Sequence, residues 1–292
     1  MGNVTNENII NLNTAITFEA ETFRRIQPEE YLRRYIQQHV RPDGRSFNHF
    51  RKTTVNLSCI TTADGSSMVR IGNTTVICGI KAEVSEPNVN FPKEGYLVPN
   101  VDLSPICSPR FKPGPPSEQA QVLSENLNKL LKNSKVIDLE TLCIEEGKAA
   151  WVLFADLVCV NYDGNVFDAC VIALISALMN VRLPEAVYED GIVKATEEKT
   201  IILALIRITY SASFAMFDGQ HLLVDPNEME ESITKDGITV VVDETGKLCN
   251  IWKTGSSCSS EQLKTCISKA RDRYADITSI IEIAKQAIKK IE

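Results

Sequence analysis

The 292-residue chain has no apolar run long enough to cross a bilayer. The longest, Ala169–Met179 broken only by Ser176, spans eleven residues, against about 18–20 for a membrane helix. Met1 to Phe18 is polar and asparagine-rich, without the basic start and apolar centre of a secretory signal. The nine cysteines include no Cys-x-x-Cys pair, and the three histidines, His39, His49 and His221, are scattered. Neither zinc ligation nor a histidine triad is supported, and no metal or cofactor is expected. The cysteine number is odd, and Cys78, Cys159 and Cys170 sit inside apolar runs. That usage indicates reduced thiols acting as small core hydrophobes in a cytosolic or nuclear protein. Gly-x-Ser-x-Gly, Walker and His-Glu-x-x-His motifs are also missing. So is a basic surplus: 31 lysines and arginines face 38 acids, a net charge of −7. A solitary nucleic-acid binder normally carries that surplus, because neutralising phosphates drives its affinity. Any RNA contact is therefore expected from a local patch or alongside partners.

What is present is an ordinary globular balance, 43% hydrophobic and 24% charged, in a chain long enough for two domains. Residues 1–22 read as a flexible tail. Pro28 opens a helix that runs to about His39, with Glu29 and Glu30 in its first turn. Arg41-Pro-Asp-Gly44 stops it. Val55, Leu57 and Cys59 alternate with polar residues as in a half-buried strand. Met68–Ile71 and Thr75–Val84 continue an antiparallel meander through turns at Ala63–Ser66 and Gly72-Asn73. The proline-rich stretch 85–117 is loop or edge strand. Ser117 caps a helix to Asn133. Trp151–Val160 is nearly continuous in apolar residues and reads as a strand buried on both faces. Phe167–Val181 reads as a buried helix.

Residues 186–200 are charged and poorly patterned, and are placed as a linker between a domain at 23–185 and a second at 201–292. The second begins with strands at Ile201–Thr209, Ser213–Phe217 and Leu222–Val224, with a hairpin turn at Asp218-Gly219. Ile238–Asp243 and Leu248–Trp252 flank another hairpin at Thr245-Gly246. A long helix closes the chain, opened by a Ser259/Gln262 capping box. Its apolar stripe (Leu263, Ile267, Ala270, Tyr274, Ile277, Ile281, Ala284, Ile288, Ile291) suits packing on its own sheet, or extension of its end into a partner. Sheet-then-helix order in both halves implies a layered α+β architecture.

Three features carry possible chemistry. Arg24 to Lys52 holds eight basic and three acidic residues, either a solvated helix face pairing with acids or a contact for RNA phosphates. Asp225 is followed by Glu228, Glu230 and Glu231, ordinarily a surface acidic loop, alternatively a Mg²⁺ or acid–base cluster. Lys129 and Lys132 share a helix face. With Arg110 and Lys112 in the preceding loop they form a candidate phosphate- or RNA-contacting cluster, unless they are simply solvated.

Several motifs together resemble the RNase PH superfamily: Arg41-Pro-Asp-Gly-Arg45, Thr62-Ala-Asp-Gly-Ser66, Gly72-Asn-Thr-Thr-Val-Ile-Cys78, Asp163-Gly-Asn-Val-Phe-Asp-Ala169 and Leu223-Val-Asp-Pro226. The likeness covers about residues 28–275 and is strongest to ring subunits of the RNA exosome. It implies an RNase PH-like fold of two β–α modules, the first similar to a ribosomal-protein domain. It also implies partners: other RNase PH-like ring subunits, RNA-binding cap subunits and a hydrolytic nuclease fed through the channel. The implied locations are nucleus, nucleolus and cytoplasm.

Active members are phosphorolytic, inorganic phosphate attacking the terminal RNA linkage. They carry Gly-Gly-Thr-Arg after the turn aspartate, and its arginine grips phosphate. Here the stretch is Gly164-Asn-Val-Phe167. Losing a positioned cation at a phosphoryl centre costs about 10³–10⁵ in rate. Of two family aspartates six apart, Asp225 keeps the first position and Glu231 takes the second. Lys129 and Lys132 fall where relatives have RNA-contacting arginines. The resemblance therefore implies a catalytically silent ring subunit, with Phe167, Asp225 and Glu231 as degenerate positions. The alternatives are an exoribonuclease with residual phosphorolysis, or a free RNA-binding module.

Overall fold

The computed structural model describes residues 20–189 and 191–288, and side chains from 21 to 287 except 190. All but the last few residues of the expected 1–22 tail, Ile291 of the closing stripe and the side chain of Ile288 lie outside what is described. Two compact units divide the chain, 1–46 and 47–292.

In the first unit, α1 (Ala20–Ile26) precedes α2 (Pro28–Gln37), which has Pro28 at its first turn. Proline has no amide there to waste and its φ is already helical. Leu32 and Ile36, one turn apart, are the buried positions of α2. Arg34 lies 4.5 Å over the Phe23 ring. The Arg41–Arg45 turn closes by Arg41 N donating to Arg45 O at 3.0 Å, with Gly44 at φ +82°.

In the second unit, β1 (Thr53–Leu57), β2 (Gly65–Ile71), β3 (Thr74–Ser85), β4 (Tyr96–Asp102), β5 (Cys143–Glu145) and β6 (Ala149–Asn161) make the larger sheet, ordered β1-β2-β3-β6-β4 with β5 against β6. Only β4 runs parallel to its neighbour, β6. Pro99 sits in β4 at the sheet's end, where a missing amide costs no ladder bond. Helix α3 (Glu118–Ser134) packs on β4, its cap made by Ser117 Oγ accepting from Ala120 N at 3.2 Å.

Helix α4 (Val166–Leu178) packs against β1, β2, β3 and β6, and against β11 (Thr209–Phe217) of the second sheet. That position between two sheets explains its composition. Every α4 side chain is buried except Phe167, which is half-buried.

The segment expected as a linker carries β7 (Arg182–Leu183) at its edge, a hairpin of β8 (Ala186–Glu189) and β9 (Ile192–Ala195), then β10 (Ile201–Ile202) paired with β7. Beyond β11 come β12 (His221–Val224), α5 (Glu228–Ile233), β13 (Asp236–Asp243), β14 (Leu248–Thr254) and α6 (Ser260–Ile288). The second sheet is ordered β12-β11-β13-β14, and α6 lies on β11, β13 and β1. Asp218 and Gly219 both have positive φ, +50° and +68°, and with Gln220 they make the three-residue loop between the paired Phe217 and His221. The Ser259/Gln262 capping box forms in both directions, at 2.8 and 3.1 Å.

Three expectations need correction. Strand β6 is buried on both faces only over Ala149–Leu153. Beyond that it alternates, with Phe154, Val158 and Val160 exposed. Outward-facing apolar residues made a one-sided strand read as two-sided. The strand expected over Ile201–Thr209 is only Ile201–Ile202. Its continuation crosses to the end of α3, where Ile206 N donates to Val136 O at 2.8 Å. Thr209–Phe217 is instead one continuous strand. Finally, the α6 stripe omits Cys266 and Arg273, both buried. Arg273 donates to Thr53 Oγ1 at 2.5 Å and lies 4.6 Å over the Phe50 ring.

Candidate functional site

The β6–α4 turn is the centre of a buried polar network. Gly164 (φ +71°) and Asn165 (φ +49°) both have left-handed backbone. A Cβ on Gly164 would stand 2.4 Å from the Asn227 carbonyl carbon and 2.5 Å from Glu228 N. Only glycine lets this turn lie against the segment that starts α5, where Asn227 and Glu230 form a capping box.

Arg51 enters from the short extended lead-in to β1. Its Nε and Nη2 grip Asp225 at 3.0 and 2.8 Å, while its backbone N donates to Asp225 Oδ2 at 2.7 Å. Nη1 donates to Asp163 O at 2.6 Å, and Nη2 also reaches the carbonyls of Gly164 and Pro226 at 3.3 and 3.4 Å. The guanidinium thus serves acceptors of its own chain on every nitrogen. Burial pushes the Asp225 carboxyl up, but the bidentate bonds and charge of Arg51, with the Asn165 amide, outweigh it and hold the pKa below the ordinary value.

Asn165 Nδ2 donates to Asp225 Oδ1 at 2.7 Å and Asp168 Oδ2 at 2.9 Å. Asp168 also accepts from the Ser211 and Ser213 hydroxyls at 2.6 and 2.9 Å and from Ser213 N at 2.8 Å. Burial raises its pKa against those donors. Glu231 accepts from Asn165 N at 2.6 Å and from the Tyr162 hydroxyl at 3.1 Å, and Tyr162 in turn accepts from Gln119 Nε2 at 3.1 Å. Burial pushes Glu231 up to about 7, with both hydrogen bonds and the Arg51 charge pulling the other way. Two carboxylates, Glu231 and Asp168, therefore serve the N-terminal end of α4, where a helix dipole favours negative charge.

Beside this network lies a cavity of about 310 Å³. Phe167 and Trp252 wall it, ring centroids 5.3 Å apart and nearly perpendicular at 77°. Among the described residues, no lysine, arginine or histidine lines it.

The structure brings Phe167, Asp225 and Glu231 together. Arg110 stands at the edge of the same region, 3.5 Å from Glu228 and 5.1 Å over the Tyr162 ring. Lys112 is exposed on its loop. Lys129 pairs with Glu125 at 3.5 Å along α3. Lys132 lines a separate groove of about 600 Å³ between α3 and β4. The reading of 225–231 as a surface acidic loop is corrected, since Asp225 and Glu230 are fully buried. Of the basic stretch, Arg51 is no solvated cation. Sequence reasoning missed it, with Asn165, Asp168, Tyr162 and Trp252. One signal was available: Asp168 is the only charged residue in α4, and a carboxylate in a wholly buried helix needs donors waiting for it.

This two-sheet arrangement around a buried glycine turn is that of an exoribonuclease-type subunit. Residues 49–184 match domain 1 of the 3′ exoribonuclease family and residues 208–273 match domain 2, and the chain belongs to that RNase PH family. It is 42% identical over 262 residues to exosome complex component rrp43 of Schizosaccharomyces pombe, covering 89% of this chain and 97% of that one. It is 40% identical over 220 residues to exosome complex component Rrp42 of Methanothermobacter thermautotrophicus, covering 75% and 81%. Among solved structures, an Archaeoglobus fulgidus exosome with RNA bound to the active site superposes with a TM-score of 0.75 at 28% identity, over 90% of this chain and 97% of that one. An archaeal exosome core gives 0.73 at 26% identity, over 89% and 100%. The expected α+β, RNase PH-like fold is borne out.

Proposed function

We propose that the chain is a non-catalytic subunit of an RNA exosome ring, supporting 3′-to-5′ degradation and processing of RNA. The observation that carries the silent part is the cavity beside Phe167. It has no cation, the nearby Arg51 is committed to Asp225, and the chain's own Glu231 already holds the Asn165 amide at the head of α4. Phosphorolysis joins two anions, inorganic phosphate and a phosphodiester, and such chemistry is driven by positioned cations. The ring role is supported by coverage of 97% and 81% of two relatives named exosome components. Its partners on this reading are other RNase PH-like subunits, RNA-binding caps and a separate hydrolytic nuclease, with RNA passing through the assembled channel. Its settings are nucleus, nucleolus and cytoplasm, in rRNA maturation and mRNA turnover. Arg110, Lys112, Lys129 and Lys132 are the proposed points of RNA contact.

Two measurements test this. Purification of the tagged chain at native level is expected to recover the other ring subunits in equal amounts. Incubation of the chain alone with RNA and phosphate is expected to release no nucleoside diphosphate. Release that disappears in Asp225→Asn would instead establish residual phosphorolysis.

A further inference from the structure

The lining of the cavity beside Phe167 points to a ligand of its own. An anion finds no counter-charge there, because the ionisable side chains that line it, Glu231 and Asp236, are both acids. Its remaining polar groups are neutral and include unsatisfied acceptors. The Ser213 hydroxyl donates to Asp168, so its 2.9 Å contact with Thr239 is donated by Thr239, whose lone pairs stay open. Asn165 spends its amide hydrogens on two carboxylates and offers the cavity no donor. Gln119 donates to Tyr162 and keeps its own carbonyl. A donor is present too, since the neutral Asn126 amide lines the cavity. Neutral donors and acceptors beside an aromatic pair suit a planar, uncharged heterocycle with ring N–H and carbonyl groups. That is the chemistry of a nucleobase, recognised by stacking and edge hydrogen bonds. A volume of about 310 Å³ is at the small end of ligand sites and holds one nucleoside, not an oligonucleotide.

We propose that this cavity binds a single neutral nucleoside, its base against Phe167 and Trp252, with no contact to phosphate. The inference rests on the reading of the cavity as closed to phosphate, and the experiment separates the two. The 292-residue chain is titrated calorimetrically with adenosine and uridine, with their 5′-monophosphates, and with inorganic phosphate. Fluorescence of Trp252, one of two tryptophans, gives a second signal. The expected result is saturable binding of a nucleoside at least about tenfold tighter than its monophosphate. Trp252→Ala is expected to weaken it roughly tenfold or more, the usual loss for one base–aromatic contact. Phe167→Arg should reverse the preference toward the monophosphate. Thr239→Val, a gentler change, is expected to weaken nucleoside binding if Trp252→Ala fails to fold. Phosphate or monophosphate binding as tight as nucleoside would overturn both this inference and the silent-cavity reading. No binding of either nucleoside, or binding untouched by these variants, would overturn the nucleoside site alone and leave the ring assignment standing.

Discussion

At the scale of single residues, two groups of the buried network have opposite consequences. The Arg51–Asp225 pair is nearly solvent-free, with side-chain exposures of 7% and 0%. Such pairs add little net stability as pairs, yet removing one partner strands the other charge. We expect Asp225→Asn and Arg51→Met each to cost about 3–5 kcal/mol in urea unfolding, with the double variant losing much less than the sum. Additive losses would mean the two side chains do not act as a pair. Glu231 works the other way. Burial raises its pKa from 4.5 to about 7, so the folded chain holds this proton more tightly than the unfolded chain does. Its contribution is fully present below about pH 4.5 and is lost as pH rises through 7. Glutamine at 231 has no proton to lose and can still accept from Asn165 N while donating to Tyr162. The stability of Glu231→Gln relative to the parent should therefore rise between pH 5 and pH 8, by up to about 3 kcal/mol. An unchanged difference across that range would show that Glu231 titrates normally.

At the scale of elements, the β6–α4 turn holds the site together through one missing methyl group. Gly164→Ala places a Cβ into the backbone of residues 227 and 228 at a left-handed φ, and we expect it to cost on the order of 2–4 kcal/mol. Amide exchange should quicken first in α5, the element pushed away. Ser259→Ala, by contrast, removes only an exposed cap and should cost about 1 kcal/mol. These two cases mark what was legible in the sequence. The Ser259/Gln262 box, the Ser117 cap, the Asp218-Gly219 hairpin and the Pro28 helix start are local chemistry, read within four residues, and all form as expected. Misreadings came where tertiary context decides. The apolar run at 201–208 forms two residues of strand because its backbone is claimed by the end of α3. The outer apolar residues of β6 look like core because composition does not say which face a partner covers. The site divides in the same way. Phe167, Asp225 and Glu231 were found through motif likeness. Arg51 lies 174 positions from Asp225, and nothing local distinguishes it from the arginines around it.

At the scale of the whole molecule, charge limits what the chain can do alone. The net charge is −7, and part of the basic N-terminal stretch is unavailable, since Arg51 is internal to the carboxylate network. Lys129 and Arg110 are each within 3.5 Å of a glutamate, so a phosphate approaching either one competes with an existing acid. Affinity for RNA grows with the number of phosphates neutralised, as does its fall with salt. With two of the four candidate contacts already paired, weak binding and a shallow salt dependence are expected. Binding of a single-stranded RNA oligomer by the isolated chain at 0.15 M salt should be no tighter than about 10⁻⁴–10⁻⁶ M, the non-specific range. Replacing Lys132 by glutamine should change it less than twofold in the isolated chain, because one cation among few contacts makes only a small difference. The same substitution in an assembled ring should matter more, where partners hold the strand in place and each remaining contact adds to theirs. Nanomolar binding by the chain alone, falling steeply between 50 and 200 mM salt, would instead identify a self-sufficient RNA-binding module and remove the reason for placing its function in an assembly.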